Sequence, residues 1–154
     1  MEKIAVLTDS ACDLSEEMQR ENEIDIVNFK IALDGNAYTE REDFTPQEYY
    51  EMLRNAKGVP TTSQVTAHEF LEQFKAYDDA GVEQVLYVSI NSTGSATNAV
   101  AHQAVAQLRE ERPESALRVH IVDSHCYSLG YGYPVVQAAQ ALRAGTPMDE
   151  VVAR

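Results

Sequence analysis

The chain has 154 residues, of which 44% are hydrophobic, so it is long enough to fold as one domain with its own core. Its 12 Lys and Arg oppose 25 Asp and Glu, and a formal charge of -13 repels nucleic acid phosphates and anionic membrane surfaces, so we expect no nucleic acid partner. No cationic segment with an apolar signal-type core follows Met1, and the uncharged runs are too polar to span a bilayer, which predicts a cytoplasmic protein without membrane insertion.

Hydrophobic periodicity predicts strands that alternate with helices along the chain. The predicted strands are Lys3–Thr8, Ile24–Phe29, Ile31–Thr39, Val82–Ile90 and Leu117–Val122. The predicted helices are Asp13–Glu23, Pro46–Lys57, Ala67–Asp79, a helix from Ala96 to about Arg112, and Val135–Ala144. The sequence Asp34-Gly35-Asn36 predicts a turn that folds the second extended segment into a hairpin. This order indicates an α/β fold with a mostly parallel sheet, helices on both faces, and ligands at the carboxyl ends of the strands.

Capping signatures mark several helix starts. Thr45-Pro46-Gln47-Glu48 and Thr66-x-x-Glu69 are both capping boxes, and Thr146-Pro147-Met148-Asp149 opens one more helix shortly before Arg154. We therefore expect residues 1–145 to form one α/β domain. Residues 146–154 are predicted to begin a connection to a second domain that is absent from this chain.

Two hydroxyl-rich segments adjoin predicted helices, Thr61–Ser63 and Asn91–Thr97. A single Ser or Thr at such a place is usually a helix cap, but capping needs one side chain per helix and each segment offers three or more. Both are expected as loops at one edge of the parallel sheet, where open α/β folds bind ligands. No Asp, Glu, Lys or Arg occurs from Val85 to Leu108, so we expect this part to be mostly shielded from water and to form an uncharged cradle for an anion.

Nucleotide and catalytic sites have weaker support. No phosphate-binding Gly-x-x-x-x-Gly-Lys-Ser/Thr loop is present, and Gly130-Tyr131-Gly132 lacks the third glycine of a dinucleotide fingerprint. Cys12 and Cys126 are too far apart for a metal knuckle and are expected to be reduced, non-catalytic thiols. We expect no metal, no cofactor and no catalytic residue.

Three tyrosines have two possible interpretations, and an acidic stretch has a single one. Tyr127, Tyr131 and Tyr133 either line an apolar cavity or cover the sheet. The acidic stretch from Glu40 to Asp43 is interpreted as a solvated loop.

Several motifs, in order and spacing, resemble the DegV family of bacterial fatty acid binding proteins. They are Thr8-Asp9-Ser10, Pro60-Thr61-Thr62-Ser63-Gln64, Ser89-Ile90-Asn91-Ser92-Thr93-Gly94-Ser95-Ala96-Thr97, and Asp123-Ser124 with Ser128-Leu129-Gly130. The resemblance implies the first of two α/β domains, an acyl chain in an apolar tunnel, and a carboxylate held by hydroxyls. Carried over by position, Thr62 and Ser92 are the carboxylate-binding pair, with Ser63 and Ser95 beside them.

The resemblance also implies a role as a carrier. Members of the family include carriers that present a long-chain fatty acid to a fatty acid kinase, so such a kinase is the expected partner and no catalysis is expected in this chain. The alternative is an enzyme that acts on a small phosphorylated or carboxylated substrate at the same strand-end site.

The sequence departs from the family pattern at four positions. Asn91 replaces a Ser, Gly94 stands where an aliphatic residue is usual, Ala96 replaces a Gly, and Val65 replaces a Pro. Since Gly94 adjoins the expected head-group site, its missing side chain predicts a changed pocket width.

Overall fold

The computed structural model describes residues 2–154 and contains two sheets. The strands are β1 Ile4–Asp9, β2 Ile24–Val27, β3 Lys30–Leu33, β4 Asn36–Thr39, β5 Thr61–Ser63, β6 Gln84–Ser89 and β7 Arg118–Asp123. The helices are α1 Glu16–Glu21, α2 Pro46–Asn55, α3 Ala67–Asp79, α4 Thr97–Glu111, α5 Leu129–Arg143 and α6 Met148–Val152, with a short 3-10 helix at Ser10–Cys12. None of the helices among these residues is long and apolar enough to cross a membrane.

The main sheet is parallel, with the strand order β2-β1-β6-β7. Its central strands are hydrophobic on both sides because side chains alternate between the two faces. On one face Val6 and Leu86 pack with residues of α5 and α6, and on the other Leu7 and Tyr87 pack with α3 and α4. The prediction of an α/β fold with a mostly parallel sheet and helices on both faces is confirmed.

A smaller antiparallel sheet, ordered β4-β3-β5, lies between β2 and α3 in the chain. Its hairpin turns at Asp34 and Gly35, whose φ angles of 49° and 83° are both positive, as the two central residues of a type I′ turn require. The Asp34 carboxylate also accepts hydrogen bonds from the backbone amides of Lys57 (3.0 Å) and Gly58 (2.9 Å). The predicted hairpin is confirmed.

The structure of Thr61–Ser63 differs from the sequence prediction. The sequence predicts a loop for Thr61–Ser63 at the edge of the parallel sheet, but this segment pairs antiparallel with β3 in the second sheet. Pro60 favours extended backbone in the residue before it, and the open edge of β3 supplies hydrogen-bonding partners for the three residues after it.

Helix boundaries shift where the local signals are weak. The helix expected from Asp13 begins at Glu16, since Asp13 has a left-handed φ of 53° and Ser15 supplies the cap by accepting from Met18 N at 3.2 Å. Helix α5 begins at Leu129 rather than Val135, so that Pro134 lies inside it. Both predicted capping boxes, at Thr45 and Thr66, are confirmed.

The last helix packs onto the core of the main sheet. Met148 and Val151 of α6 are buried in the cluster that contains α5. Residues 146–154 therefore contribute to this domain's core, and their role as the start of a connection to a second domain stays a prediction.

Candidate functional site: a cavity at the strand ends

A cavity of about 610 Å³ opens where the carboxyl ends of β1 and β6 meet the antiparallel sheet, and we call it the strand-end cavity. The apolar part of its lining consists of Ala11, Phe29, Ile31, Ile90 and Ala96. The polar part consists of Asp13, Glu40, Thr62, Gln64, Ser95 and Ser128, with Tyr49 and Tyr127 completing the wall. An apolar surface with a few polar groups suits an amphipathic ligand.

The strand β5 places Thr62 and Ser63 on opposite faces. Thr62 pairs with Ile31 and lines the strand-end cavity, whereas Ser63 pairs with Lys30 and does not line it. This difference arises from the period of two along a strand, which sends neighbouring side chains to opposite sides. Of the two, only Thr62 is positioned to reach a ligand in this cavity.

The loop after β6 likewise separates Ser95 from Ser92. Ser95 lines the cavity, and its hydroxyl also lies 2.8 Å from Thr97 Oγ1 and 3.3 Å from Thr97 N at the start of α4. Ser92 lies outside the lining, with its backbone amide 3.1 Å from Asp123 Oδ1. The sequence predicts that Val85–Leu108 is mostly shielded from water. This prediction is wrong for the loop after β6, since Ser92, Thr93 and Gly94 are exposed.

Asp123 holds the Ser92 end of that loop in place. Besides Ser92, its carboxylate accepts from His125 N at 3.0 Å and lies 3.2 Å from His125 Nδ1. Burial raises the pKa of Asp123, but hydrogen bonds from the Ser92 side chain and from the backbone amides outweigh it, so that the pKa lies below its ordinary value. A ligand that used the Ser92 hydroxyl would compete with this carboxylate.

The side chain of Asn91 organises the turn between Ser92 and Ser95. Its Oδ1 accepts from Thr93 N (3.2 Å) and Thr93 Oγ1 (3.0 Å), while its Nδ2 donates to Tyr127 Oη at 3.1 Å. The Asn91 backbone amide donates to the carbonyl of Cys126 at 3.0 Å. Where the family usually has Ser, this Asn joins the β6 loop to the β7 loop.

Glu40 is a cavity residue that sequence reasoning missed. The interpretation of Glu40–Asp43 as a solvated loop holds for the exposed Glu42 and Asp43 but is wrong for Glu40. The Glu40 backbone amide donates to Phe29 O at 2.9 Å in the link between β2 and β3, and Ser10 Oγ, directly after β1, donates to its Oε2 at 2.5 Å. The sequence signal for this contact was the Thr8-Asp9-Ser10 motif, whose serine directly follows a buried strand.

Beneath the cavity lies a buried carboxylate, Asp9, with no exposed surface. It accepts hydrogen bonds from Ile90 N (2.9 Å), from Tyr87 Oη (3.0 Å) and from Tyr131 Oη. Burial raises the pKa of Asp9, and the hydrogen bonds from Tyr131, Ile90 and Tyr87 offset only part of that rise. Asp9 thus ties β1, β6 and α5 together directly under Ile90.

The three tyrosines left open by the sequence have three different settings. Tyr127 lines the strand-end cavity, Tyr131 is buried against Asp9, and Tyr133 is 56% exposed on α5. Tyr127 also fills the space beside Gly94, since a Cβ built on Gly94 would lie 2.1 Å from Tyr127 Oη. The aliphatic side chain that is usual in the family is thus replaced here by a tyrosine from a different loop.

We expect Gly94→Ala to displace the Tyr127 ring while changing the free energy of unfolding by less than about 0.5 kcal/mol. The obstructing atoms belong to the far end of an exposed side chain, which can rotate away at the cost of its hydrogen bond to Asn91. A crystal structure of the variant shows the ring position, and denaturant unfolding measures the change in stability. A loss above about 1 kcal/mol would mean that Tyr127 is fixed.

A second cavity, of about 630 Å³, lies between α5 and the sheet on the side of β7. It is lined by two segments without Asp, Glu, Lys or Arg, Val85–Leu108 and Ser124–Leu142, with Leu86 and Val88 from the first and Val135 and Ala138 from the second. The cavity is open along β7, whose side chains are only partly buried. The family resemblance implies an apolar tunnel for an acyl chain, and we predict that these two segments form one of its walls.

The two cysteines lie near the two cavities but line neither of them. Cys12 is buried, and burial raises the pKa of its thiol to about 11, so it stays protonated at neutral pH. Cys126 is half-buried and free. Within residues 2–154, no group of three or more His, Cys, Asp or Glu is placed to hold a metal ion.

Comparison with known proteins decides the family. Residues 3–154 match the profile described as "Uncharacterised protein, DegV family". The chain belongs to the DegV family. Curated DegV domain-containing proteins from Clostridium perfringens and Listeria monocytogenes are 33% and 30% identical to it, over 98% of this chain in each case. The DegV chain spans 51% of the length of each of these relatives.

Two solved structures have the same fold. A DegV family protein from Thermus thermophilus, described as fatty acid binding, matches with a TM-score of 0.83 at 29% identity, covering 98% of this chain and 51% of its own. A stearic acid-binding protein from Eubacterium ventriosum matches with a TM-score of 0.86 at 25% identity, covering 99% of this chain and 51% of its own. The DegV chain therefore corresponds to about half of each solved protein.

Proposed function

We propose that this chain binds a long-chain fatty acid, with its carboxyl group in the strand-end cavity, and that it acts as a carrier without catalysis of its own. The observation that carries the proposal is the make-up of that cavity, in which the Thr62 and Ser95 hydroxyls stand beside the apolar Phe29, Ile31 and Ile90. Similarity to solved proteins described as binding fatty acids supports the same ligand class.

The two parts of such a ligand have different roles. Burying a tail of roughly fourteen methylenes contributes on the order of 11 kcal/mol at about 0.8 per group, whereas each hydrogen bond to a charged oxygen adds roughly 1.5 to 3. The tail therefore supplies most of the affinity and the hydroxyls fix its position. In this proposal Thr62 and Ser95 contact the head group directly, and Ser92 joins them by releasing Asp123.

The proposal extends beyond the described residues. Because the chain spans about half the length of its relatives, we propose that the tail continues into a tunnel completed by a second domain. We further propose that the loaded protein is cytoplasmic and presents the acid to a fatty acid kinase. The strand ends would then face the partner, since the head group lies there.

Thr62→Val tests the head-group contact, because it removes one hydroxyl and keeps the shape of the side chain. We expect fatty acid affinity to fall by roughly 10- to 150-fold, the equivalent of one hydrogen bond to a charged oxygen. Titration with a fatty acid and with the matching fatty alcohol measures the effect, and the alcohol should lose less.

Thr61→Val is the matched control for this test. It makes the same chemical change on the opposite face of β5, away from the cavity, and should leave affinity unchanged. Equal losses in the two variants would place the head group elsewhere. Mass spectrometry of co-purified ligand gives an independent check, since a nucleotide or sugar phosphate in place of a long-chain acid would contradict the proposal.

A further inference from the structure

The strand-end cavity carries negative charge where the proposed ligand also carries it. Glu40 and Asp13 both line the cavity, and none of its described lining residues is Lys or Arg. Like charges that line one cavity repel each other, so a further ionised carboxylate is disfavoured there. A fatty acid bound here places a further carboxyl group beside these two.

The geometry of Glu40 singles it out as the group that meets the ligand. Its Oε2 accepts from Ser10 Oγ, and Ser10 Oγ in turn accepts from Phe29 N at 2.9 Å, so one edge of the carboxyl group is fixed. Among the described residues no hydrogen bond reaches Glu40 Oε1, which leaves that oxygen for a ligand. Asp13 differs, since its Oδ2 already accepts from Ser128 Oγ at 2.6 Å.

The charged and titratable groups around Glu40 come from every element packed against it. Asp9 lies beneath it at the end of β1, Asp13 follows the 3-10 helix, and Tyr49 faces it from α2. Among the described residues Arg41 is the cation that acts on Glu40, and its guanidinium is directed away, donating to Leu14 O at 2.6 Å. The carboxyl groups of Glu40, Asp9 and Asp13 are thus close together, and the nearby Arg41 already donates its hydrogen bond to a backbone carbonyl.

We propose that Glu40 makes the strand-end cavity selective for a head group that shares a proton with it, so that the bound fatty acid and Glu40 together hold one proton. This inference rests on the proposed function and adds how the cavity recognises the head group of its ligand. Ser10 fixes Oε2 of Glu40, and the acid group of the ligand pairs with Oε1. Thr62 and Ser95 hydrogen-bond the remaining ligand oxygen.

Burial supports this assignment, because it raises the pKa of Glu40 above its ordinary value, with the neighbouring Asp13 and Asp9 adding to the rise and Ser10 and Arg41 opposing it. Above the pKa of Glu40 in the unliganded protein, both the free acid and Glu40 are ionised. Binding must then take up about one proton from solvent, and affinity falls roughly tenfold for each pH unit above the pKa of free Glu40. The complex is therefore most stable at low pH and weakens as pH rises.

Calorimetric titration from pH 6 to 8, in pairs of buffers that differ in ionisation enthalpy, measures this proton directly. The probes are a long-chain fatty acid and the primary alcohol of the same chain length. We expect proton uptake that approaches one for the acid, none for the alcohol, and an acid affinity that falls with pH while the alcohol affinity does not. Acid binding without proton uptake would overturn the inference.

Glu40→Gln and Glu42→Gln form a matched pair of variants. Gln at position 40 keeps a hydrogen-bonding group for Ser10 but cannot take a proton, so acid binding should lose its pH dependence and exceed wild type by roughly a further tenfold for each pH unit above the pKa of wild-type Glu40. Glu42 is exposed and accepts from Asn28 Nδ2 at 3.0 Å outside the cavity, so its variant should behave as wild type.

The outcomes separate this inference from the proposed function. If neither acid nor alcohol binds at any pH, the proposed function fails. If the acid binds and the pH dependence survives Glu40→Gln, the function stands and the role of Glu40 is wrong. Should Glu40→Gln fail to fold, proton uptake by the wild-type protein still decides the question.

Discussion

Asp9→Ala is expected to destabilise the protein by roughly 3 to 5 kcal/mol, because it removes the common acceptor of a buried hydrogen-bond network. Ile90 N, Tyr87 Oη and Tyr131 Oη all donate to this carboxylate, which has no exposed surface. Each buried donor left without an acceptor costs roughly 1 to 3 kcal/mol. Relief from desolvating the carboxylate offsets part of the sum but not the loss of three partners.

Denaturant unfolding of the Asp9 variant measures this loss, and Glu114→Ala serves as its control. Glu114 is exposed in the turn before β7 and should change stability by less than about 0.5 kcal/mol. If the two variants unfolded alike, Asp9 would not link the strands. Because Ile90 lines the cavity, the Asp9 variant should also lose ligand affinity even where it remains folded.

The pH dependence of Asp9 has a definite sign. Since its pKa in the folded protein is raised above the ordinary 3.8, its contribution to stability is fully present below pH 3.8 and is lost as pH rises through the folded-state value. Asp9→Asn stays neutral throughout. The stability of wild type relative to Asp9→Asn should therefore decline as pH rises from about 3.8, and an increase over that range would contradict the sign of the shift.

Gly132→Ala is expected to cost about 3 kcal/mol, because α5 packs on the 3-10 helix after β1 through this position. A Cβ there would lie 2.3 Å from the carbonyl oxygen of Cys12 and 3.3 Å from Leu14 Cδ2. The first of these atoms is backbone in the 3-10 helix after β1 and cannot rotate away. The gain of helix propensity from Gly to Ala, up to about 1 kcal/mol, opposes this cost without cancelling it.

Gly130→Ala is the control, since it makes the same substitution in the same helix. Its added Cβ would meet Cys126 Cβ at 3.6 Å, an ordinary contact, so the variant should be neutral or more stable by up to about 1 kcal/mol. Paired denaturant unfolding compares the two. Equal stabilities would show that α5 can shift without cost, and then Ala11 and Asp13 of the cavity would be free to shift with it.

The sequence by itself determined the features that depend on near neighbours. Both capping boxes, at Thr45 and Thr66, formed as predicted because the interacting groups are three residues apart. The hairpin at Asp34-Gly35 formed because two residues must adopt positive φ there. The parallel sheet with helices on both faces resulted from the alternation of apolar strands and amphipathic helices, which leaves few other arrangements.

Tertiary structure alone decided which polar groups meet in the cavity. Glu40 lies in the wall because Ser10, thirty residues earlier, holds its carboxyl group, and no local pattern encodes a contact at that separation. Thr62 faces the cavity and Ser63 does not because the pairing of β5 with β3 fixes which side chains point inward, and a shift by one residue would exchange them. Hydroxyls can therefore be found in a sequence, but the direction in which each one points is set by the strand beside it.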